Sequence, residues 1–204
     1  CDRRRREIRR ALGVGENDYL IVAGSTREGE EELLLAAYQS IRSEFERVRL
    51  ALAPRHLARL AEVEQIIHSN GLHVKRHSIA VEDQSPDAVI LVDQMGLLND
   101  LYLAAEIAFV GGTLVAIGGH NLLEPVWAGT PVLFGQSVGN VRDAAEYILD
   151  NTYGAQVADI AELERTIRRH CRGGISFLQK TAEDITHSAT AHVGEYILRK
   201  LNRA

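Results

Sequence analysis

At 204 residues, 46% hydrophobic and 25% charged, the chain is long enough to bury an ample core and has the balance of an ordinary soluble globular protein. A formal net charge of −5 argues against a general nucleic-acid binder, which needs a positive surface, and no apolar run reaches the about 18 residues of a membrane span. Two cysteines, Cys1 and Cys171, make neither a disulfide framework nor a ligand cluster, so a reducing, cytosolic setting is expected.

The chain starts Cys-Asp-Arg rather than with Met and carries no signal peptide, as a fragment of a longer protein would. The basic run Arg3–Arg6, with Arg9 and Arg10, reads as a solvated helix face; proximity to anionic lipid headgroups is the sharper alternative. Tyr19–Ala23 is an apolar strand, followed by a helix over about Glu28–Phe45. Val48–Ala53 is the next strand and Leu57–Ser69 the next helix, closed by the C-cap signal Asn70-Gly71. Leu72–His77 is a partly polar strand, Ser78–Asp87 a loop punctuated by Pro86, and Ala88–Val92 a strand. Leu97–Ala105 is a short helix and Ile107–Val110 an unbroken apolar strand, as one buried on both faces should be.

Asn121–Ala128 follows as a short helix stopped at Gly129, then strand Pro131–Phe134, helix Val141–Asn151 and strand Ala155–Val157. From Asp159 the pattern is helical to the end, broken at Gly173-Gly174, with a last helix over about Ala189–Leu201. Alternating α and β units with apolar strands predict one α/β domain over 1–204: a doubly wound, Rossmann-like parallel sheet with helices on both faces. In such sheets ligands bind beyond the carboxyl ends of the strands, where every polar motif of this chain falls.

The stretch from Gly111 to Pro125 places a strand end, a glycine-rich turn and a helix start together. Gly111, Gly112, Gly118 and Gly119 allow positive φ and close approach of a ligand to bare backbone. Asn121 reads as the N-cap, with free N–H groups behind it directed at an anion in the turn. Glu124 suits the hydroxyls of a ribose; its plainer role is a first-turn acid favoured by the helix dipole. The whole is the pattern of a nucleotide site. Arg55, between Pro54 and His56, offers a planar fork for phosphate or carboxylate, or else covers a surface helix. His56 is as well suited to a structural donor role as to a ligand contact. Met95, Gly96 and Leu97 line a base, or make a tight turn and core packing. His120 is either a base or a histidine tied to its loop, and no histidine stands at metal-ligand spacing, so no metal is assigned. Ser25, Thr26 and the acidic run Glu28–Glu32 are ordinary helix-start chemistry, with contact to a donor sugar or partner domain as the functional alternative. Asn140 and Arg142 face the same sheet edge, within reach of a sugar carboxylate.

Four motifs in order carry a family resemblance: Ala23-Gly-Ser-Thr26 with Glu28-Gly-Glu-Glu-Glu32; Pro54-Arg55-His56; Asp93-Gln-Met-Gly96; and Val110-Gly-Gly-Thr-Leu-Val115 with Gly118-Gly-His-Asn121 and Leu123-Glu-Pro125. Together, from about Leu20 to Val157, the chain resembles the 3-deoxy-D-manno-octulosonic acid (Kdo) transferases of lipid A biosynthesis. Gln94, Leu97 and Leu122 differ from the residues usual there. The resemblance implies the carboxyl-terminal half of a GT-B glycosyltransferase, which binds CMP-Kdo. It implies that Pro54, Arg55, Met95, Gly96, Leu97 and Asn121, Leu122, Leu123, Glu124 hold CMP, with Ser25, His56, Gly118, Gly119, His120 and Asn140 as further donor contacts. It also implies transfer of Kdo with inversion to a lipid A precursor, no cofactor beyond the nucleotide sugar, and a setting on the cytoplasmic side of the bacterial inner membrane. The general base and the acceptor surface belong to the amino-terminal half, so no catalytic residue is expected here. Two other functions fit the fold: a UDP-sugar transferase or 2-epimerase, and a nucleotide-binding module without activity. An NAD site is disfavoured, because Ala23-Gly-Ser-Thr26 stands where Gly-x-Gly-x-x-Gly belongs.

Overall fold

The central strands are apolar on both faces, and that property fixes the layers. In a computed structural model describing residues 2–78 and 88–179, the order is α1 (Asp2–Leu12), β1 (Tyr19–Thr26), α2 (Glu30–Arg42), β2 (Val48–Pro54), a 3-10 turn (Leu57–Arg59), α3 (Leu60–Ser69), β3 (Val74–Arg76), β4 (Val89–Leu91), α4 (Leu98–Ala104), β5 (Ile107–Val110), α5 (Leu123–Trp127), β6 (Val132–Phe134), α6 (Arg142–Asp150), β7 (Gly154–Gln156) and α7 (Ile160–Cys171). The seven strands pair in the order β3-β4-β2-β1-β5-β6-β7, every pair parallel. This is the expected doubly wound sheet. The chain runs outward from β1 to β3 and β4, then returns to place β5 on the other side of β1. The β1/β5 boundary is therefore the switch point, where a crevice opens beyond the strand ends.

Successive side chains of a strand point to opposite faces. Ile21, Ala23, Leu50, Leu52, Phe109 and Leu133 meet α2, α3 and α7 on one face. Leu20, Val22, Ala51, Ala53 and Ala108 meet α1 and α4 on the other, which Val110, Val132 and Phe134 extend under α5 and α6. Removing one Leu, Ile or Phe side chain from such a core costs about 2–5 kcal/mol.

The helix closing at Asn70-Gly71 forms as expected: Gly71 takes φ +72°, and Gly71 and Leu72 donate back to His68 and Ile67 at 2.8 and 3.2 Å. Three expectations need correction. The basic run of α1 is not a solvated face throughout. Arg9 is buried and donates to Ala104 O and Gly15 O at 2.8 Å, and to both oxygens of Glu106. Arg5 joins it on Glu106 while Arg3, Arg6 and Arg10 stay exposed, because i, i+4 spacing puts Arg5 and Arg9, alone among the arginines of α1, on the face that Ile8 and Leu12 turn to the sheet. Next, the chain past Gly173 is irregular through residue 179 rather than helical. There Phe177 stacks on His170, with ring centroids 5.7 Å apart, and Leu178 donates to Thr152 O, a packing that a continued helix would not reach. Last, α5 starts later than expected: its N-cap is Leu122, whose side chain is fully buried in the core, and Asn121 stands one residue earlier. The loop over 79–87 and the helix expected over 189–201 lie outside the described residues. Among the described residues, no helix is long and apolar enough to cross a membrane.

Candidate nucleotide site

The carboxyl ends of β1, β2 and β4 and the start of α5 surround a cleft of about 200 Å³. Ser25 lines it from β1, Pro54 and Arg55 from β2, Met95 and Gly96 from the turn after β4, and Glu124 from α5. Residues scattered over a hundred positions thus converge, as the topology requires. Met95 is 66% exposed, far more than an apolar side chain needs to be, and it faces the cleft with nothing packed over it. Ser25 takes φ +55°, unusual for a residue with a side chain, where the β1/β2 register slips between Gly24 and Thr26. That kink swings the chain end aside and leaves Ser25 in the cleft wall. Strain of this kind concentrates at ligand sites.

Glu124 is half-buried, and its Oε1 accepts from Asn121 Nδ2 at 3.1 Å. Asn121 Oδ1 in turn accepts the Leu123 N–H at 3.1 Å, so the asparagine caps α5 from just outside it. Leu123 is half-buried beside it, and Leu97 packs against the core rather than into the cleft.

The rim is basic. Arg55 is exposed with no ion-pair partner among the described residues, and Arg27 Nη1 lies 2.6 Å from His56 Nε2. His120 stands near them: burial first, then the charges of Arg55, Arg27 and His56, push its imidazole below the usual histidine range. It is neutral at pH 7, and its buried Nε2 has no partner among the described residues. The guanidinium of Arg55 at the mouth, with that of Arg27 beside it, favours an anion. Among the described residues, no group of three or more His, Cys, Asp or Glu is placed to hold a metal ion.

The glycine-rich turn differs from the expected ligand cradle. A Cβ on Gly111 would strike the Ser25 carbonyl oxygen and come within 2.6 Å of Thr26 Cα, so the glycine admits the protein's own β1. Gly118 and Gly119 pack against the 137–141 loop: Gly118 N donates to Ser137 Oγ and Asn140 N to Gly118 O, at 2.8 and 2.9 Å. Asn140 also donates through Nδ2 to Ile117 O at 3.0 Å. Gly118, Gly119 and Asn140 therefore support one another outside the cleft wall. The N–H groups expected to meet an anion lie behind Asn121, at the start of α5; those of the 112–114 turn are taken internally, by one acid of the Glu28–Glu32 run. Glu30, with no exposed surface, accepts from Arg27, Gly112, Thr113 and Leu114 N–H at 2.8–3.1 Å. Its neighbour Glu31, equally buried, accepts from Thr26 Oγ1 and Arg59 at 3.0 and 2.9 Å; burial nonetheless pushes its carboxyl up. Three glutamates in a row at a helix start carry no signal that separates the buried two from the exposed Glu32.

No protein-family model matches the chain. It is 41% identical over 168 residues to a bifunctional glycosyltransferase/methyltransferase of Fusobacterium nucleatum, covering 81% of this chain and 26% of that protein. It is 38% identical over 151 residues to the 3-deoxy-D-manno-octulosonic acid transferase of Aquifex aeolicus, covering 74% of this chain and 41% of the enzyme. Among solved structures, the C-terminal CMP-Kdo binding domain of WaaA from Acinetobacter baumannii superposes with a TM-score of 0.75 at 26% identity, over 84% of this chain and 88% of that domain. The chain thus spans 26% and 41% of the lengths of the two curated relatives. With a nucleotide-type cleft, four family motifs gathered around it, and likeness in both sequence and fold, the chain belongs to the 3-deoxy-D-manno-octulosonic acid transferase family.

Proposed function

We propose that this chain binds CMP-Kdo and forms the donor half of a glycosyltransferase that transfers Kdo to a lipid A precursor in lipopolysaccharide biosynthesis. The observation that carries the reading is the cleft itself, in which Glu124, Arg55 and Met95-Gly96 converge from three chain segments. Each suits one part of the ligand. The Glu124 carboxylate accepts from ribose hydroxyls; Met95 gives the pyrimidine an apolar face and Gly96 gives its edge bare backbone; Pro54 closes the floor. Arg55, with Arg27 at the rim, offers charge to the phosphate and to the carboxylate of the sugar acid, and His56 holds the Arg27 guanidinium there. His120 is a neutral donor nearby, and Ser25 presents a hydroxyl from the kinked strand end.

In the reaction an acceptor hydroxyl attacks the anomeric carbon, the bond from that carbon to the phosphate oxygen breaks, and CMP leaves with the bonding pair. Guanidinium charge at the phosphate stabilises that departure as negative charge grows. The base that takes the hydroxyl proton and the surface that holds the lipid would come from an amino-terminal domain, which in this reading precedes the single domain described above. The assembled enzyme would work at the cytoplasmic side of the inner membrane and need no cofactor beyond the nucleotide sugar.

Calorimetric titration of CMP, UMP and AMP into the chain tests the donor assignment. Selective binding of CMP is the expected result. A preference for UMP, which would favour a UDP-sugar transferase or 2-epimerase, or no binding of any of the three, overturns it.

A further inference from the structure

Carboxylates are rarely fully buried, and those that are need partners for both oxygens. Glu30 has them entirely from backbone. Oε2 accepts from Gly112 N at 2.8 Å and Arg27 N at 2.9 Å, and Oε1 from Thr113 N at 3.1 Å and Leu114 N at 3.0 Å. Three successive N–H groups converging on one point form the concave arrangement that binds anions in many proteins. Here the anion is part of the chain.

The turn that Glu30 holds is attached to both walls of the cleft. Gly111 N donates to Gly24 O at 2.9 Å, and Gly111 lies against the Ser25 carbonyl and Thr26 Cα. On the other side, Gly119 N donates to Gly112 O at 2.8 Å and His120 N to Gly111 O at 3.3 Å. The four residues from His120 lead straight to Glu124. A shift of the 111–114 turn is therefore a shift of Ser25 relative to Glu124.

We propose that Glu30 is a positioning residue for the nucleotide cleft: its carboxylate fills the anion nest of the 112–114 turn and so sets the spacing between the Ser25 and Glu124 walls. The proposal rests on the nucleotide reading given above. It goes beyond that reading in giving the first acid of α2 a specific task, and in directing the ligand's own anionic groups to the basic rim rather than to the turn. The charge and both oxygens matter. Glutamine has the same shape, but its amide nitrogen would face one pair of the four donors, leaving two buried N–H groups without an acceptor.

The test compares the full chain, Glu30→Gln and Ile167→Val, a core substitution on α7 remote from the cleft. Amide hydrogen exchange is followed by NMR without ligand, and CMP affinity by calorimetry. In Glu30→Gln, the amides of Gly112, Thr113 and Leu114, and with them Gly119 and His120, are expected to exchange at least tenfold faster. CMP affinity is expected to fall tenfold or more, while Ile167→Val changes neither. Unchanged protection at Gly119 and His120, or unchanged CMP affinity, in a folded Glu30→Gln protein overturns the proposal. Should Glu30→Gln not fold, the wild-type chain decides: 112–114 and 119–120 must open as one unit, and independent exchange of the two segments refutes the coupling. If wild-type chain binds no CMP, the functional reading fails, and the exchange data alone judge the task of Glu30.

Discussion

Glu124→Ala separates recognition from folding. Glu124 is half-buried, and among the described residues its one side-chain bond, from Asn121 Nδ2, is solvent-exposed. Asn121 still caps Leu123 through Oδ1 in the variant. The loss to stability is therefore an exposed hydrogen bond plus a helix-dipole contribution of about 0.3–1 kcal/mol. With about 0.5–1 kcal/mol for the exposed bond the total is about 1–2 kcal/mol, which for a domain of this size lowers the melting temperature by about 2–8 °C. In the complex, a hydrogen bond from a ribose hydroxyl to a charged carboxylate is worth about 1.5–3 kcal/mol. One such bond corresponds to a loss of about 10- to 150-fold in CMP affinity. Calorimetric titration measures the affinity and a thermal melt the stability. Titration of 2′-deoxy-CMP completes a cycle: removing the hydroxyl should weaken binding to the wild-type chain and make no further difference in Glu124→Ala. Affinity within threefold of wild type, or equal deoxy effects in both proteins, would refute the ribose contact. A melting temperature lower by more than 10 °C would show that Glu124 acts through the fold.

Two further outcomes follow from buried charge. Arg9→Met leaves Glu106 and three main-chain carbonyls without their buried donor, so about 3 kcal/mol of stability should be lost, at the low end for broken buried pairs because Arg5 still meets Glu106; a urea-unfolding difference below 1 kcal/mol would contradict it. His120 and His170 are both held below the usual histidine range, chiefly by burial, so the unfolded chain takes up protons first as pH falls. Stability is then full above the unfolded value of about 6.5 and declines below it. Urea midpoints that stay level from pH 7.5 to 5.5 would rule this out.

The sheet was legible because its central strands are unbroken apolar runs separated by helical spacing: Ile107–Val110 reads as a doubly buried strand on composition alone, and it is one. The convergence of motifs was legible for the same reason, since in a parallel sheet all carboxyl ends lie along one edge. Helix ends were less so. Asn121 is a good cap residue by type, yet the buried Leu122 fixes where α5 starts, and burial is settled by packing rather than by neighbours in sequence. Arg9 likewise looks like Arg10 in the sequence; only the position of Glu106 on the adjoining strand start separates a buried ion pair from a solvated side chain.

The glycine-rich turn marks the boundary of such reading. Glycine signals that something approaches the backbone closely, but its identity is a tertiary fact. At Gly111 the approaching group is β1, and at Gly112 to Leu114 the N–H groups meet Glu30, eighty-two to eighty-four residues away in sequence. The two readings have different chemical consequences. A 112–114 turn with open amides would bind phosphate through neutral dipoles; closed by its own carboxylate, it leaves the charged contacts to the guanidiniums of Arg27 and Arg55 at the rim. Exposed charges are screened by salt, over about 10 Å at 0.1 M. In the proposed function, recognition of the donor would then divide by location: base and ribose in the cleft at Met95, Gly96 and Glu124, and the acidic groups at the rim, where ionic strength would govern their hold.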